Sequence, residues 1–279
     1  MVGKGEGRGH GNVTIAWEGM DPTTAEVCFA HANGFTKALW RPIARRVVEH
    51  HRDVRWVSFD LRGHGDSGAG SPPIRWDVHG LDALGLLGDA SGLLGVGHSM
   101  GGTALVRAEL HRRGTFDRLV LIEPIVFPPP FERADIPLSR IAEKRRRTFR
   151  DRSHARERFA EGAFSDWDPE VLDLYVDHGF APGPDGWTIK CEPATEADNY
   201  REGGNHDTWN RLDELDLPVV LVTGERSDTH QGAYLDALVG RFPEVELVVI
   251  EGAGHLVPME RPATIADLVA GAYGAQRPG

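Results

Sequence analysis

The chain has 279 residues and is acidic, with 42 Asp and Glu against 31 Lys and Arg and a formal net charge of −11. Hydrophobic residues make up 40% of it and charged residues 26%, values that are typical of a globular protein and argue against a disordered chain. The negative balance disfavours general binding to nucleic acid, which depends on basic surface.

The first part of the chain alternates strand-like and helix-like segments. Strands are predicted at 26–30, 54–60, 93–96 and 119–122, each an apolar run bounded by polar or Gly-rich sequence. Helices are predicted between them, over 39–47, 78–87 and 101–113. Strands that alternate with helices predict βαβ units and a mostly parallel sheet.

The pattern changes after residue 127. Residues 128–213 are charged, aromatic and helical in character, without a convincing buried strand, whereas strand patterns return at 218–224 and 245–250 and a helix is predicted at 263–273. We therefore predict an α/β core formed by residues 1–127 and 214–279. Residues 128–213, called the cap segment below, are predicted to be inserted into that core.

A serine nucleophile is predicted where the strand at 93–96 meets the following helix. Gly97-His98-Ser99-Met100-Gly101 matches G-x-S-x-G in the strand–turn–helix context that this motif requires. A hydroxyl is a weak nucleophile, and a sharp turn presents it to a base while the helix N-terminus favours developing negative charge. A similar stretch around Ser67 lacks the final glycine and is followed by a Pro-rich loop.

A base and an acid are expected later in the chain, in the order Ser, Asp or Glu, His. His255 lies in the Gly-rich stretch that follows the strand at 245–250, which makes it the preferred base. The acid is expected after the strand at 218–224, where Glu225 and Asp228 both lie.

Together these motifs resemble the α/β-hydrolase fold family. The resemblance rests on His31-Ala-Asn-Gly-Phe, Asp60-Leu-Arg-Gly-His-Gly-Asp-Ser, Gly97-His-Ser-Met-Gly-Gly, Gly224-Glu-Arg-Ser-Asp and Gly252-Ala-Gly-His. It implies a mostly parallel sheet flanked by helices with an inserted helical cap at residues 128–213. It also implies that Ser99 is the nucleophile, Asp228 the acid and His255 the base, with an oxyanion hole formed by the backbone N–H groups of Met100 and Asn33.

The chain departs from the family pattern at two places. Ala32 replaces the glycine that commonly follows the histidine, and Ser227 occupies the place usual for the acid, so that Asp228 lies one residue further from Gly224. Some family members take the acid from the end of the strand after the nucleophile helix, which makes Glu123 an alternative. Asp228 is the preferred acid, with Glu123 and Glu225 left open.

A serine nucleophile predicts an acyl-enzyme, and hydrolysis of a carboxylic ester or lactone is the preferred reaction. Cleavage of a thioester or of a C–C bond beside a ketone is an alternative, as is a ligand-binding protein that has lost turnover. No metal or organic cofactor is expected, because metal-ligand spacing and a complete dinucleotide fingerprint are missing from the sequence. The expected partner is a small acyl substrate rather than nucleic acid or membrane, for a monomer or homodimer.

A cytoplasmic location is expected. Two cysteines give no disulfide framework, residues 1–11 lack an apolar signal core, and no run approaches the ~18 apolar residues that span a membrane.

The cap segment carries two further signals. Residues 140–158 hold nine Lys or Arg against three Asp or Glu, which we interpret as a solvated helical face, with attraction of an acidic substrate as the alternative. The aromatic side chains of the segment are expected to pack mainly between cap and core. They are Trp167, Tyr175, Phe180, Trp187, Tyr200 and Trp209. His206 is a polar outlier without a predicted role.

Overall fold

A computed structural model describes residues 3–70 and 73–276. Residues 1–2 and 277–279 of the predicted core lie outside the described residues. Residues 71–72 of the predicted Pro-rich loop also lie outside them. The strands are β1 (Gly3–Arg8), β2 (Thr14–Gly19), β3 (Val27–Ala30), β4 (Trp56–Phe59), β5 (Leu93–His98), β6 (Phe116–Ile122), β7 (Thr148–Phe149), β8 (Phe180–Gly183), β9 (Gly186–Ile189), β10 (Val219–Gly224) and β11 (Val245–Ile250). The helices are α1 (Arg41–His50), α2 (Trp76–Leu87), α3 (Met100–His111), α4 (Pro137–Glu143), α5 (Arg152–Ala160), α6 (Pro169–His178), α7 (Pro193–Glu202), α8 (Gly232–Val239), α9 (Val257–Glu260) and α10 (Pro262–Gln276).

Eight of the described strands form one sheet in the order β1-β2-β4-β3-β5-β6-β10-β11. Pairing is parallel from β4 to β11, while β1 and β2 form an antiparallel hairpin that joins β4. This is the α/β-hydrolase fold with an inserted helical region, as the sequence predicts.

Successive side chains on a strand point to opposite faces of the sheet, and on the central strands β3, β5 and β10 both faces are buried. Val120 and Ile122 pack with α1 and α10 on one face, and Leu119 and Leu121 pack with α2, α3 and α8 on the other. Strands covered on both sides read as continuous apolar runs, which is why the sequence reveals the central strands so directly.

The N-terminal hairpin is not predicted from the sequence, because β1 is Gly-rich, polar and largely exposed. A side chain at Gly5 would place its Cβ 2.7 Å from the indole ring of Trp17 on β2, so the glycine leaves space for that ring. The same composition that suggests a loop therefore allows close cross-strand packing.

The cap segment lies between β6 and β10 and contains α4 to α7. It also contains a small antiparallel sheet in the order β7-β9-β8, which the sequence analysis does not predict. These strands have two to four residues each, and β8 contains a proline and a glycine, so no period-2 pattern can develop. The cap packs on the core through an aromatic cluster that joins Phe35 to Trp167, Tyr175 and Phe180.

No helix among the described residues is long and apolar enough to cross a membrane.

Candidate active site

The predicted nucleophile lies where β5 turns into α3. Ser99 has φ 53° and ψ −120°, a left-handed conformation that non-glycine residues rarely adopt. The flanking glycines are required sterically, since a Cβ on Gly97 would lie 2.5 Å from Gly102 Cα and one on Gly101 would lie 2.3 Å from Ala30 O. The glycines of the motif therefore allow the close backbone packing that projects Ser99 from the sheet.

His255 lies beside Ser99, as the sequence predicts. It follows β11, and its Nε2 is 3.3 Å from Ser99 Oγ. The strand order places β5, β6, β10 and β11 side by side, so the loops at their carboxyl ends meet at one edge of the sheet.

The structure places Glu123, and not Asp228, against His255. Glu123 Oε2 lies 3.0 Å from His255 Nδ1, and Glu123 is completely buried directly after β6. Asp228 is exposed and makes no hydrogen bond or ion pair with any described residue. Glu225 is also exposed and accepts a hydrogen bond from the Gly252 N–H. The prediction that Asp228 contacts His255 is therefore wrong.

Local geometry explains this difference. Glu123 has φ 50°, which turns its carboxylate under the loop after β10. Ser227, at the position where the family usually has its acid, is 2% exposed and donates from Oγ to Glu123 Oε2 at 2.7 Å. The carboxylate therefore enters the site from the neighbouring strand, and the usual acid position supplies a hydroxyl that binds it.

The carboxylate is held in its charged form. Its Oε1 accepts hydrogen bonds from Thr223 Oγ1 at 2.6 Å and from the Gly224 N–H at 2.9 Å. Burial alone would raise the pKa of Glu123, but the imidazoles of His230 and His255 outweigh it and hold that pKa well below its usual range. Glu123 is thus an acceptor-only group at neutral pH, suited to orient His255.

Two histidines that the sequence analysis does not single out also belong to the site. His98 Nε2 donates to the backbone carbonyl of His255 at 2.9 Å, and burial lowers the pKa of His98 to about 3, which keeps it neutral. His230 is also buried, and its Nδ1 lies 2.7 Å from Glu123 Oε2, the oxygen that His255 contacts. His98 could have been noticed because it lies within the nucleophile motif, whereas nothing in the sequence marks His230.

The two expected oxyanion donors have backbone N–H groups without a hydrogen-bond partner among the described residues. Met100 is the first residue of α3, so its N–H is free of the helix ladder. The backbone N–H of Asn33 makes no hydrogen bond with a described residue. The Asn33 side chain donates to the Glu196 carbonyl at 2.9 Å and accepts from Asn199 at 3.1 Å, which fixes this loop against α7 of the cap.

A group of donors spaced as in a metal site exists among the described residues. It consists of Glu123, His230 and His255, whose donor atoms lie within 4.8 Å of one another. His255 Nδ1 contacts Glu123 Oε2, and His255 Nε2 contacts Ser99 Oγ. We therefore interpret the group as a hydrogen-bonded cluster.

The basic stretch of the cap is largely paired. Arg152 and Arg156 both bind Asp173, and the partly buried Arg145 contacts Glu196 and Tyr175. The sequence analysis interprets the stretch as a solvated helical face, and the structure adds that most of its charges are paired with acidic side chains. His206 is buried, stacks on Trp76 with ring centroids 5.2 Å apart, and has its pKa lowered to about 4 by burial.

Comparisons with known proteins agree with this architecture. Residues 29–268 match the model of the "Alpha/beta hydrolase family". The lipase LipV of Mycobacterium tuberculosis is 28% identical over 243 residues, which cover 81% of this chain and 86% of LipV. The abhydrolase domain-containing protein ACTT2-1 of Alternaria alternata is 25% identical over 214 residues, covering 64% of this chain and 81% of that protein. The crystal structure of E-2-(acetamidomethylene)succinate hydrolase superposes with a TM-score of 0.83 at 21% identity, covering 97% of this chain and 98% of that one.

Proposed function

Since the chain belongs to the alpha/beta hydrolase family, we propose that it is a serine hydrolase that cleaves a carboxylic ester or lactone through an acyl-enzyme. The observation that carries this proposal is the position of His255, which bridges Ser99 Oγ at 3.3 Å and Glu123 Oε2 at 3.0 Å. Ester chemistry is also supported by the similarity to LipV, a lipase whose match covers most of this chain.

In the proposed reaction His255 Nε2 takes the proton of Ser99 as Oγ attacks the carbonyl carbon. Glu123 keeps the Nδ1–H tautomer of His255 and stabilises the imidazolium that forms. The N–H groups of Met100 and Asn33 bind the oxyanion, each with an effect of about 3–4 kcal/mol in comparable sites.

The same histidine completes the cycle. His255 gives its proton to the leaving alkoxide, so that an ester releases its alcohol, or a lactone ring opens to a free hydroxyl, and the acyl group remains on Ser99. Water then attacks the acyl-enzyme while His255 takes a proton from it, and the carboxylic acid leaves with regeneration of the Ser99 hydroxyl.

A fluorophosphonate probe tests the nucleophile without knowledge of the natural substrate. Wild-type protein should be labelled at Ser99, and Ser99→Ala should abolish both labelling and ester turnover while the fold persists. The matched control is Ser67→Ala, because Ser67 lies in the incomplete motif and its Oγ is bound to the Asp60 carbonyl at 2.7 Å. Full labelling of Ser99→Ala, or a wild-type protein that resists the probe, would contradict the proposal and favour a ligand-binding protein without turnover.

The substrate class can then be measured with matched panels of esters, lactones and thioesters. We expect the highest kcat/KM for an ester or a lactone. A preference for thioesters of a hundredfold or more would contradict that part of the proposal and leave the nucleophile assignment in place.

A further inference from the structure

Residues 32–35, called the oxyanion loop below, follow β3. In the parallel pairing of β3 with β5, Ala30 lies opposite Gly97, so this loop starts beside the turn that carries Ser99. The loop contains Asn33, whose backbone N–H is the proposed second oxyanion donor. Such a donor is effective only when its N–H points at the position that the oxyanion will occupy, so the orientation of this loop bears directly on the reaction.

The core binds the oxyanion loop at its two ends. Just before the loop, the Leu61 N–H donates to His31 Nε2 at 3.0 Å. Two residues beyond it, the Lys37 N–H donates to Asp60 Oδ1 at 2.7 Å. Between these two anchors the apolar side chains of the loop pack in the aromatic cluster of the cap. The cap therefore covers the middle of the loop.

Two hydrogen bonds from α7 of the cap hold the Asn33 side chain. Asn33 Nδ2 donates to the backbone carbonyl of Glu196 at 2.9 Å. A carbonyl oxygen only accepts, so this bond decides which end of the amide is nitrogen and turns Oδ1 toward Asn199, whose Nδ2 donates to it at 3.1 Å. His64 Nε2 of the core lies 3.1 Å from the same oxygen, but an imidazole nitrogen donates in one tautomer only, whereas an amide nitrogen always donates.

Asn199 is itself held in place. It is completely buried, and its backbone carbonyl accepts a hydrogen bond from Trp76 Nε1 of α2 at 3.1 Å. About one turn earlier on α7, the Glu196 carboxylate is bound by Arg145 of the cap. Arg145 also donates to Tyr175 OH at 2.7 Å. These contacts fix α7, which presents the Asn199 amide to the oxyanion loop.

We propose that Asn199 is a positioning residue that holds Asn33 so that the Asn33 N–H points at the oxyanion. This inference rests on the proposed function, in which Ser99 attacks a carbonyl carbon and Asn33 and Met100 bind the oxyanion. A cap residue thereby supports the chemistry of a core serine. Because the oxyanion exists only after the attack, loss of this support should lower kcat and leave substrate binding nearly unchanged.

The first test is Asn199→Ala, which removes the donor to Asn33. Deleting an oxyanion donor outright costs about 10²–10³ in kcat, and a misplaced donor keeps part of its effect, so we expect kcat on a chromogenic ester to fall about 10–100-fold with KM within about threefold. The matched control is Asn205→Ala, the same exchange at a cap residue that donates to Glu202 Oε2 at 2.8 Å and makes no hydrogen bond to the described residues of the oxyanion loop. Its kcat should stay within about twofold of wild type. An unchanged kcat in folded Asn199→Ala, or a loss confined to KM, would overturn the proposal.

A transition-state analogue separates positioning from a general loosening of the cap. When Ser99 Oγ bonds to the carbonyl carbon of a trifluoromethyl ketone, its proton passes to His255 and the former carbonyl oxygen carries the negative charge. The corresponding alcohol binds without forming this adduct. In Asn199→Ala the inhibition constant of the ketone should rise by about the same factor as kcat/KM falls, and that of the alcohol should stay within about threefold. Equal weakening of both inhibitors would overturn the proposal.

Asn33→Ala keeps the test decisive where Asn199→Ala does not fold. It removes both bonds to α7 and retains the backbone N–H, so it should also lower kcat about 10–100-fold with little change in KM, and an unchanged kcat would overturn the proposal. Where both single variants fold, the double variant should be about as slow as the slower single one, since both break the same contact, and losses that multiply would overturn the proposal. Failure of the proposed function would appear differently, as wild-type protein whose Ser99 does not react with the fluorophosphonate probe.

Discussion

Exchange of the Glu123 carboxylate for an amide separates the two possible triad acids. In Glu123→Gln the shape of the side chain is kept, but the negative charge 3.0 Å from His255 Nδ1 is lost. At an effective dielectric constant of about 20, a unit charge pair at that distance contributes about 5.5 kcal/mol, which corresponds to about four orders of magnitude in rate. The amide NH₂ would also face a ring of donors, since Thr223, Gly224 and Ser227 all donate to the carboxylate.

We therefore expect Glu123→Gln to lose about 10³–10⁴ in kcat on a chromogenic ester, close to the loss that follows removal of the acid in serine proteases. Asp228→Asn is the matched control, because it makes the same change of carboxylate to amide in an exposed side chain, and we expect its kcat within about twofold of wild type. Circular dichroism and thermal melting should show that both variants are folded. A loss of more than about a hundredfold in Asp228→Asn, with Glu123→Gln near wild type, would refute the reasoning from geometry.

Three further outcomes follow from the site. Because the pKa of Glu123 is held well below its usual range, protonation of that carboxylate should not set the acid limb of kcat/KM, and a limb near the ordinary glutamate value of about 4.3 would contradict this. His98→Leu removes the hydrogen bond to the His255 carbonyl and should lower kcat about tenfold with less effect on KM, whereas an unchanged kcat would show that the bond does not position the base. Burial lowers the pKa of His64 to about 4 and that of His79 to about 3, so the unfolded chain binds more protons than the folded one once the pH falls below the ordinary value near 6.5. Each should then cost about 2 kcal/mol of stability at pH 5, measurable by urea unfolding, and a free energy of unfolding independent of pH between 5 and 7 would contradict this.

The sequence predicts the parallel sheet and the strand–turn–helix context of Ser99, because these depend on local patterns. The central strands are apolar on both faces, and the nucleophile turn needs glycines where a side chain would clash. Both features leave a direct mark on the order of residues.

The acid could not be predicted in the same way. Asp228 and Glu123 lie at the ends of neighbouring strands, and the choice depends on the direction in which each backbone turns. The positive φ of Glu123 and the bond from Ser227 decide it, and neither has a sequence signature for a glutamate. His230 escaped notice for a related reason, since only the folded chain brings it against Glu123.

The proposed nucleophile and acid belong to a single strand–helix–strand unit, β5-α3-β6, whereas the base arrives from the far end of the chain after β11. During synthesis Ser99 and Glu123 are thus made well before His255. The cap segment is translated after Glu123 and before His255. A nascent chain that ends before the loop after β11 would hold the serine and the carboxylate without a base. The proposed turnover therefore requires β11 to be paired with β10, so that activity reports whether this edge strand is in place.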